Sequence, residues 1–307
     1  MISYAQNAED VVLARVFAGR TTGRYVDIGA GYPLQDSVTK HFYDLGWRGI
    51  NVEPEPSLFD QLRCERPEDL NLAIAVGAKP GKTVLHVVEG QWGRATLDDD
   101  LAAHYRADED WPTHDVEVDV VTLADLLDEH PGQLDFVKID VEGAERDVIE
   151  GADWTRHRPR VVVVEATEPG SPQPSHGEWE PILLDAGYRC ALFDGLNRFY
   201  APADDEEALS RLAVPANVFD DFERYDVAQL RAAQANRPGE VGYIRRLEEA
   251  VQEAQQSRAD REEYVRKVET ALADSQRDAT RAQRRAAALE WRIAELEAEL
   301  RAARAQR

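Results

Sequence analysis

Four acidic residues stand at or near the ends of four apolar segments that have the character of central β-strands. They are Asp27, Glu53, Asp140 and Glu165. In open α/β sheets, ligands bind at the edge formed by the carboxyl ends of the strands. One carboxylate after a strand means little, but four in one sheet indicate a polar ligand that carries hydroxyls, amines or a positive charge.

A short glycine turn follows the first of these strands. Gly29 and Gly31 form a G-x-G turn, which allows a backbone to approach a ligand closely. A dinucleotide fingerprint needs a third small residue at position 34, where this chain has Leu34. Glu53 stands where a carboxylate usually binds ribose hydroxyls. These features favour a nucleoside without a pyrophosphate, and S-adenosylmethionine fits because it is cationic at sulfur and carries no phosphate.

The elements that must position these residues alternate between strand and helix patterns. Strands are predicted near residues 24–28, 49–53, 70–76, 83–88, 134–140 and 161–165, and helices near 36–45, 57–64 and 145–150. Four consecutive valines in the last strand are typical of a strand buried on both faces. The alternation predicts a doubly wound, Rossmann-like parallel sheet.

Composition and charge exclude several classes of protein. The chain has 307 residues, with 36 Lys and Arg against 59 Asp and Glu, which gives a net charge of −23. Such acidity argues against nucleic-acid or anionic-membrane partners. No apolar run is long enough to span a membrane, and the first residues do not have the pattern of a signal peptide. With Cys64 and Cys190 as the only cysteines, we expect a cytoplasmic protein.

The last 70 residues differ from the rest of the chain. Residues 238–307 contain 14 basic and 14 acidic residues, so residues 1–237 carry the whole net charge. From Ile244 to Ala303, positions at alternating spacings of three and four are apolar except for Arg258, Arg261 and Ser275, a pattern typical of a coiled coil. A solvated single helix is the alternative. We therefore expect a catalytic domain over 1–237 and, over 238–307, a long C-terminal coiled-coil helix that forms a homo-oligomer or binds a partner helix.

Several motifs together resemble one enzyme family. The motif Tyr25-Val-Asp-Ile-Gly-Ala30 alone is shared by many methyltransferases, whereas Gly46-Trp-Arg-Gly-Ile-Asn-Val-Glu-Pro54 and Val137-Lys-Ile-Asp-Val-Glu-Gly-Ala-Glu145 are specific. The sequence over residues 2–225 resembles the FkbM family of S-adenosylmethionine-dependent methyltransferases. The resemblance implies a class I methyltransferase fold and O-methylation, often of a sugar or polyketide hydroxyl.

Roles for individual residues follow as hypotheses. Seven residues are expected to bind or close over the methyl donor, namely Gln6, Glu9, Asp27, Gly29, Gly31, Ser37 and Glu53. Three carboxylates are expected near the acceptor hydroxyl, namely Asp140, Glu142 and Glu165. Among these, Asp140 is predicted to orient the hydroxyl or take its proton. Structural readings remain open: Glu9 and Ser37 could begin helices, and Glu142 could favour a helix N-terminus through the dipole. Lys138 is expected to point away from the ligand and to form a structural pair rather than to take part in catalysis.

The favoured activity is O-methylation of a sugar hydroxyl on a saccharide, glycolipid or glycosylated metabolite. A polyketide or other small-molecule acceptor is an alternative, as is a non-catalytic scaffold that retains a degenerate methyltransferase domain. No spacing demands a metal ion, although three carboxylates near the acceptor have the oxygen ligands that Mg²⁺ takes.

Overall fold

The computed structural model describes residues 1–88, 95–108 and 112–235. The chain divides into two compact units, Met1–Gln229 and Leu230–Arg307. The predicted coiled coil over 238–307 lies outside the described residues, so it stays a prediction.

Twelve strands and nine helices lie within the described residues. The strands are β1 (Ile2–Ser3), β2 (Arg24–Ile28), β3 (Arg48–Val52), β4 (Leu70–Leu72), β5 (Ala75–Val76), β6 (Gly81–Val88), β7 (Thr113–Val121), β8 (Phe136–Ile139), β9 (Val161–Glu165), β10 (Tyr188–Phe193), β11 (Asn197–Pro202) and β12 (Glu223–Arg224). The helices are α1 (Glu9–Val16), α2 (Lys40–Asp44), α3 (Pro56–Glu65), α4 (Asp99–Asp108), α5 (Leu123–Glu129), α6 (Glu145–Glu150), α7 (Glu180–Asp185), α8 (Glu206–Leu212) and α9 (Tyr225–Ala235).

The main sheet has seven strands in the order β10-β11-β9-β8-β2-β3-β4. The five strands from β9 to β4 are parallel, whereas β11 runs antiparallel to both β9 and β10. The sheet is therefore mixed rather than wholly parallel as predicted, because an antiparallel hairpin extends one edge. A smaller sheet has the order β5-β7-β6, and β1 pairs with β12.

Alternate residues of the central strands supply two separate cores. Val162 and Val164 of β9 pack with helices α5, α6 and α7, whereas Val161 and Val163 pack with α1, α2 and α8. Side chains alternate between the two faces of a strand, so helices on both sides bury both faces. This arrangement confirms the expectation that the central sheet is covered on both faces.

The predicted strand over 70–76 is two strands in two sheets. Leu70–Leu72 pairs with β3 in the main sheet, and Ala75–Val76 pairs with β7 in the small sheet. Both halves are apolar and suited to a strand. The sequence pattern reports burial but does not say which neighbour a strand pairs with.

The predicted helix over 36–45 is shorter than expected. Its helical part is only Lys40–Asp44, and Asp36 adopts a left-handed backbone with φ 58°. Asp36 also forms an isolated bridge with Ala5. The residues before the helix are therefore held by the N-terminal segment instead of by helical hydrogen bonds.

The buried guanidinium of Arg66 connects the segment before α2 with strand β2. Arg66 is 0 % exposed and pairs with Asp69 at 2.8 Å. Its guanidinium also donates to Tyr25 Oη at 2.7 Å, Ser37 Oγ at 3.2 Å and Thr39 Oγ1 at 3.0 Å. Every one of these acceptors is buried, so their orientation depends on the guanidinium.

Replacing Arg66 by alanine is expected to lower the free energy of unfolding by about 3–5 kcal/mol, because it leaves Asp69 as a buried carboxylate without its cation. Denaturant unfolding monitored by circular dichroism measures this loss. Arg63→Ala is the control, since that exposed side chain lies 3.7 Å from Asp60 and its loss should cost less than about 0.5 kcal/mol. A cost for Arg66→Ala no larger than that of the control would contradict the structural role.

Candidate active site

A cavity of about 540 Å³ opens at the carboxyl ends of β2, β3, β8 and β9. It is lined by seven of the ten residues singled out from the sequence, namely Gln6, Gly29, Gly31, Glu53, Asp140, Glu142 and Glu165. The parallel strands bring these residues together from positions up to 159 apart in the chain. The position agrees with the general placement of ligand sites in such sheets.

The glycine turn after β2 has two distinct steric requirements. At Gly29, with φ +73°, an added Cβ would lie 1.8 Å from the carbonyl oxygen of Asp140. At Gly31, with φ +60°, an added Cβ would meet nothing within 4 Å. The first glycine lets β2 and β8 approach each other, and the second leaves space in the wall of the cavity.

Glu53 lies directly after β3 and is held by backbone donors. Its Oε2 accepts from the Gly31 N–H at 2.8 Å, and its Oε1 accepts from the Glu55 N–H at 2.9 Å. Burial raises the pKa of Glu53 to about 7, against the lowering effect of these two N–H groups. Each carboxylate oxygen retains a lone pair for a ligand hydroxyl.

Three charged groups meet beneath the turn. The ammonium of Lys138 lies 3.3 Å from Asp27 Oδ1 and 3.3 Å from Asp140 Oδ2, and it also donates to the Gly29 carbonyl. Lys138 lines the cavity although it was expected to point away from the ligand, and its two ion pairs agree with the structural pairing expected of it. In strand register, Lys138 stands directly beside Asp27, an alignment that sequence alone does not fix.

Asp140 and Glu165, two of the carboxylates expected near the acceptor, lie close together. Burial raises the pKa of Glu165, and the nearby carboxylates of Asp140 and Glu142 raise it further. Its Oε2 is buried and has no hydrogen-bond partner within the part of the chain that the structure describes. Two adjacent carboxyl groups in one site favour a state in which only one is ionised.

A tight turn after β8 presents Asp140 and Glu142. Glu142 has φ 53° and Gly143 has φ 102°, and Glu145 Oε1 accepts from the N–H groups of Val141 at 3.0 Å and Gly143 at 3.2 Å. Sequence reasoning assigned no role to Glu145 beyond the family motif. The available signal was an acidic residue at the start of a predicted helix, where a carboxylate is favoured.

Part of the cavity wall is apolar. Four of its residues come from β5, β6 and the segments just before β5 and α4, namely Ile74, Val76, Leu85 and Leu97. The chain between β6 and β7 includes α4 within its described residues.

Three of the residues predicted to bind the donor do not line the cavity. Asp27 is buried and accepts from Thr39 Oγ1 at 2.8 Å, and Ser37 is buried against Arg66. Glu9 accepts from Asn197 Nδ2 at 2.6 Å. Burial raises the pKa of Glu9 to about 7. These side chains are thus placed to support the cavity from behind, and direct contact with a donor is not supported by their positions.

Among residues 1–88, 95–108 and 112–235, no cluster of three or more His, Cys, Asp and Glu side chains has an arrangement that could hold a metal ion. Within the same ranges, no helix is both long and apolar enough to cross a membrane.

Comparison with known proteins identifies the class of this domain. Residues 27–190 match the model of the methyltransferase FkbM domain. This match spans more than half of the chain, which therefore belongs to the FkbM methyltransferase family. The expected family is confirmed, and membership supports S-adenosylmethionine as the methyl donor.

Individual relatives are distant. The chain is similar to "Methyltransferase 1" of Beauveria bassiana (strain ARSEF 2860), at 36% identity over 89 residues. That match covers 28% of this chain and 34% of the relative, so the chain spans about a third of the relative's length.

Two solved structures were also found. A TehB-like SAM-dependent methyltransferase from Corynebacterium glutamicum has a TM-score of 0.35 at 11% identity and covers 63% of this chain and 87% of its own. The METTL16 MTase domain has a TM-score of 0.33 at 13% identity and covers 62% of this chain and 63% of its own.

The residues of the cavity fit S-adenosylmethionine in three respects. The space beside Gly31 leaves room for a ligand against the backbone. The buried Glu53 carboxylate has acceptor capacity for two ribose hydroxyls. The apolar wall suits a purine ring, and the acidic side, with Asp140 and Glu165, suits a cationic sulfonium.

Proposed function

We propose that this protein transfers a methyl group from S-adenosylmethionine to a hydroxyl of a neutral, sugar-containing acceptor. The observation that carries the proposal is the carboxylate pair Asp140 and Glu165, which lies on the same cavity as Glu53 and the glycine turn. The bound donor would supply an electrophilic methyl group on a positively charged sulfur.

The chain's own residues have three tasks in this reaction. Glu53 accepts hydrogen bonds from the ribose hydroxyls, and the backbone at Gly29 and Gly31 holds the methionine part. Asp140 accepts the hydrogen bond of the acceptor hydroxyl and takes its proton as the new C–O bond forms and the bond between the methyl carbon and sulfur breaks, which leaves S-adenosylhomocysteine. A base of this kind contributes about 10²–10⁴-fold to a rate, and correct positioning contributes much of the remainder.

The charge of the lining supports a neutral acceptor. In the described lining, Lys138 is the one Lys or Arg side chain, and it is paired with Asp27 and Asp140. No cation there is available to compensate a phosphate or a carboxylate on the acceptor. A neutral glycoside satisfies the site by hydrogen bonds alone.

Two measurements test the proposal. Calorimetry with S-adenosylhomocysteine and S-adenosylmethionine is expected to show binding. If about 1 mM ligand produces no heat, any binding free energy is weaker than roughly −4 kcal/mol, and the scaffold alternative is favoured. Transfer of a radiolabelled methyl group is then measured with neutral glycosides, phosphorylated glycosides and polyketide lactones. Transfer only to the lactones would establish the polyketide alternative, and transfer only to the phosphorylated sugars would contradict the charge argument.

Donor binding is expected to strengthen with pH because of Glu53. Its pKa of about 7 lies above the ordinary glutamate value, so the carboxylate that accepts ribose hydroxyls ionises between about pH 6 and 8. If only the ionised form binds, affinity for S-adenosylhomocysteine rises roughly tenfold over this interval. Calorimetry at the two pH values measures the change. Glu53→Gln should bind more weakly and equally at both, and a pH-independent wild-type affinity would contradict the assignment.

Folding stability should change with pH in the opposite sense. A raised folded-state pKa means that the protonated form of Glu53 stabilises the native protein. This contribution is complete below about pH 4.5 and is lost as the pH rises through about 7. Urea unfolding at pH 5 and pH 8 should therefore differ less in Glu53→Gln than in the wild type.

We also propose that residues 238–307 oligomerise the enzyme as a coiled coil. The repeating apolar seam in the sequence supports this proposal. Sedimentation of the full chain should show an oligomer that dissociates when seam residues Leu296 and Leu300 are both changed to lysine. The control pair Glu297→Lys and Arg301→Glu lies off the seam and should leave the oligomer intact. A wild-type monomer would support the single solvated helix instead.

A further inference from the structure

Lys138 occupies the centre of a buried polar cluster at the base of the cavity. Only 7% of its surface is exposed. Its ammonium contacts Asp27 Oδ1 at 3.3 Å, Asp140 Oδ2 at 3.3 Å and the carbonyl of Gly29. The ammonium is therefore hydrogen-bonded to the glycine turn and ion-paired with one carboxylate on each side.

The two carboxylates on the acceptor side have different surroundings. Asp140 is paired with Lys138, and its side chain is 35% exposed towards the cavity. Glu165 Oε2 is buried and has no donor among the described residues. When two carboxyl groups lie side by side, the one nearest a cation retains the negative charge at the lower cost.

We propose that Lys138 is a positioning residue that holds Asp140 as the anionic, proton-accepting member of the Asp140–Glu165 pair. The functional meaning of this inference rests on the proposed methyl transfer. The effect of Lys138 on Asp140 can nevertheless be measured without a bound methyl donor. Asp27 balances Lys138 from behind, and the contact with the Gly29 carbonyl fixes the ammonium between the glycine turn and the base. One buried cation thereby links the donor side of the cavity to the acceptor side.

Two further carboxylates lie near the Asp140–Glu165 pair. Glu142 and Glu145 lie in and after the turn that follows β8, and their negative charge opposes ionisation of Glu165. Burial lowers the pKa of Lys138, but Asp140 and Asp27 outweigh this effect and the net shift is upward. Lys138 therefore stays charged across the pH range of any assay.

Carbon-13 NMR of protein labelled at the aspartate carboxyl carbon tests the proposal without an acceptor. The Asp140 signal is assigned by its disappearance in Asp140→Asn. In Lys138→Met, which keeps the length but removes the charge, Asp140 should titrate about one to three pH units higher than in the wild type, as expected for the loss of an adjacent cation. An unchanged titration in folded Lys138→Met would overturn the proposal.

Two further variants keep the test decisive. Lys82→Met removes an exposed lysine that pairs with Glu117 and should leave the Asp140 titration unchanged. If Lys138→Met does not fold, Lys138→Gln serves in its place, because it removes the charge but keeps an N–H group for the Gly29 carbonyl. Asp140 should again titrate at a higher pH than in the wild type, and an unchanged titration would contradict the proposal.

Calorimetry with S-adenosylhomocysteine separates this inference from the proposed function. A wild-type protein that does not bind it would remove the methyltransferase proposal while leaving the coupling between Lys138 and Asp140 measurable. A wild-type protein that binds it while Asp140 titrates independently of Lys138 would remove only the inference.

Discussion

Replacement of Asp140 by asparagine is expected to lower methyl transfer by about 10²–10⁴-fold, the contribution typical of a general base. Asparagine keeps the size of the side chain and can still accept a hydrogen bond, but it cannot take a proton from the acceptor. The affinity for S-adenosylhomocysteine should change by no more than a few-fold, since Glu53 and the glycine turn bind that ligand. The rate constant kcat, measured with a labelled donor and an accepted glycoside, should carry nearly the whole loss.

Asp147→Asn provides the matched control for this substitution. Asp147 is an exposed residue of α6, seven positions further along the chain and away from the cavity. The control should keep wild-type kcat and affinity. Near-normal turnover in Asp140→Asn would assign the proton acceptor to another group. In that case Glu165→Gln should show the large loss instead, because Glu165 is the neighbouring carboxylate on the same cavity.

Replacement of Gly29 by alanine is expected to destabilise the fold strongly and to weaken donor binding. The added Cβ would lie 1.8 Å from the Asp140 carbonyl oxygen, and the residue has φ +73°. Gly29 and Asp140 directly follow the adjacent central strands β2 and β8, so the ends of these two strands would have to separate. Together, overpacking and backbone strain correspond to a loss of about 2–6 kcal/mol in unfolding free energy. Thermal and urea unfolding measure that loss.

Alanine substitutions at two other glycines distinguish the steric clash at Gly29 from the strain of a left-handed backbone. Gly19 has φ +80° and Gly31 has φ +60°, and an added Cβ meets nothing within 4 Å at either position. Alanine at Gly19 should cost only the strain of the left-handed backbone, about 1–2 kcal/mol. Alanine at Gly31 should cost the same in stability and also weaken S-adenosylhomocysteine binding, because this position lines the cavity. Equal stability losses in Gly29→Ala and Gly19→Ala would show that the strands can adjust.

The candidate site could be located from sequence because parallel strands align their carboxyl ends. Glu53, Asp140 and Glu165 follow apolar strand segments, so each was predicted at the same edge, and all three line the cavity. The direction of a side chain at that edge was less predictable. Asp27 faces a buried lysine, whereas Lys138 reaches the cavity, since the strand register decides which residues lie side by side.

Local sequence patterns determined much of the central framework: apolar runs ending in carboxylates, a glycine turn and a helix beginning near Ser57. These features arise from interactions between residues close in the chain, namely burial of alternate side chains, backbone freedom at glycine and the capping of a helix. Only the tertiary structure decided that residues 70–76 contribute to two sheets and that an antiparallel hairpin extends one edge of the main sheet. It also decided that Lys138 forms ion pairs with both Asp27 and Asp140. Each of these depends on pairing between distant segments, and an apolar strand has no preference among partners until the whole sheet is assembled.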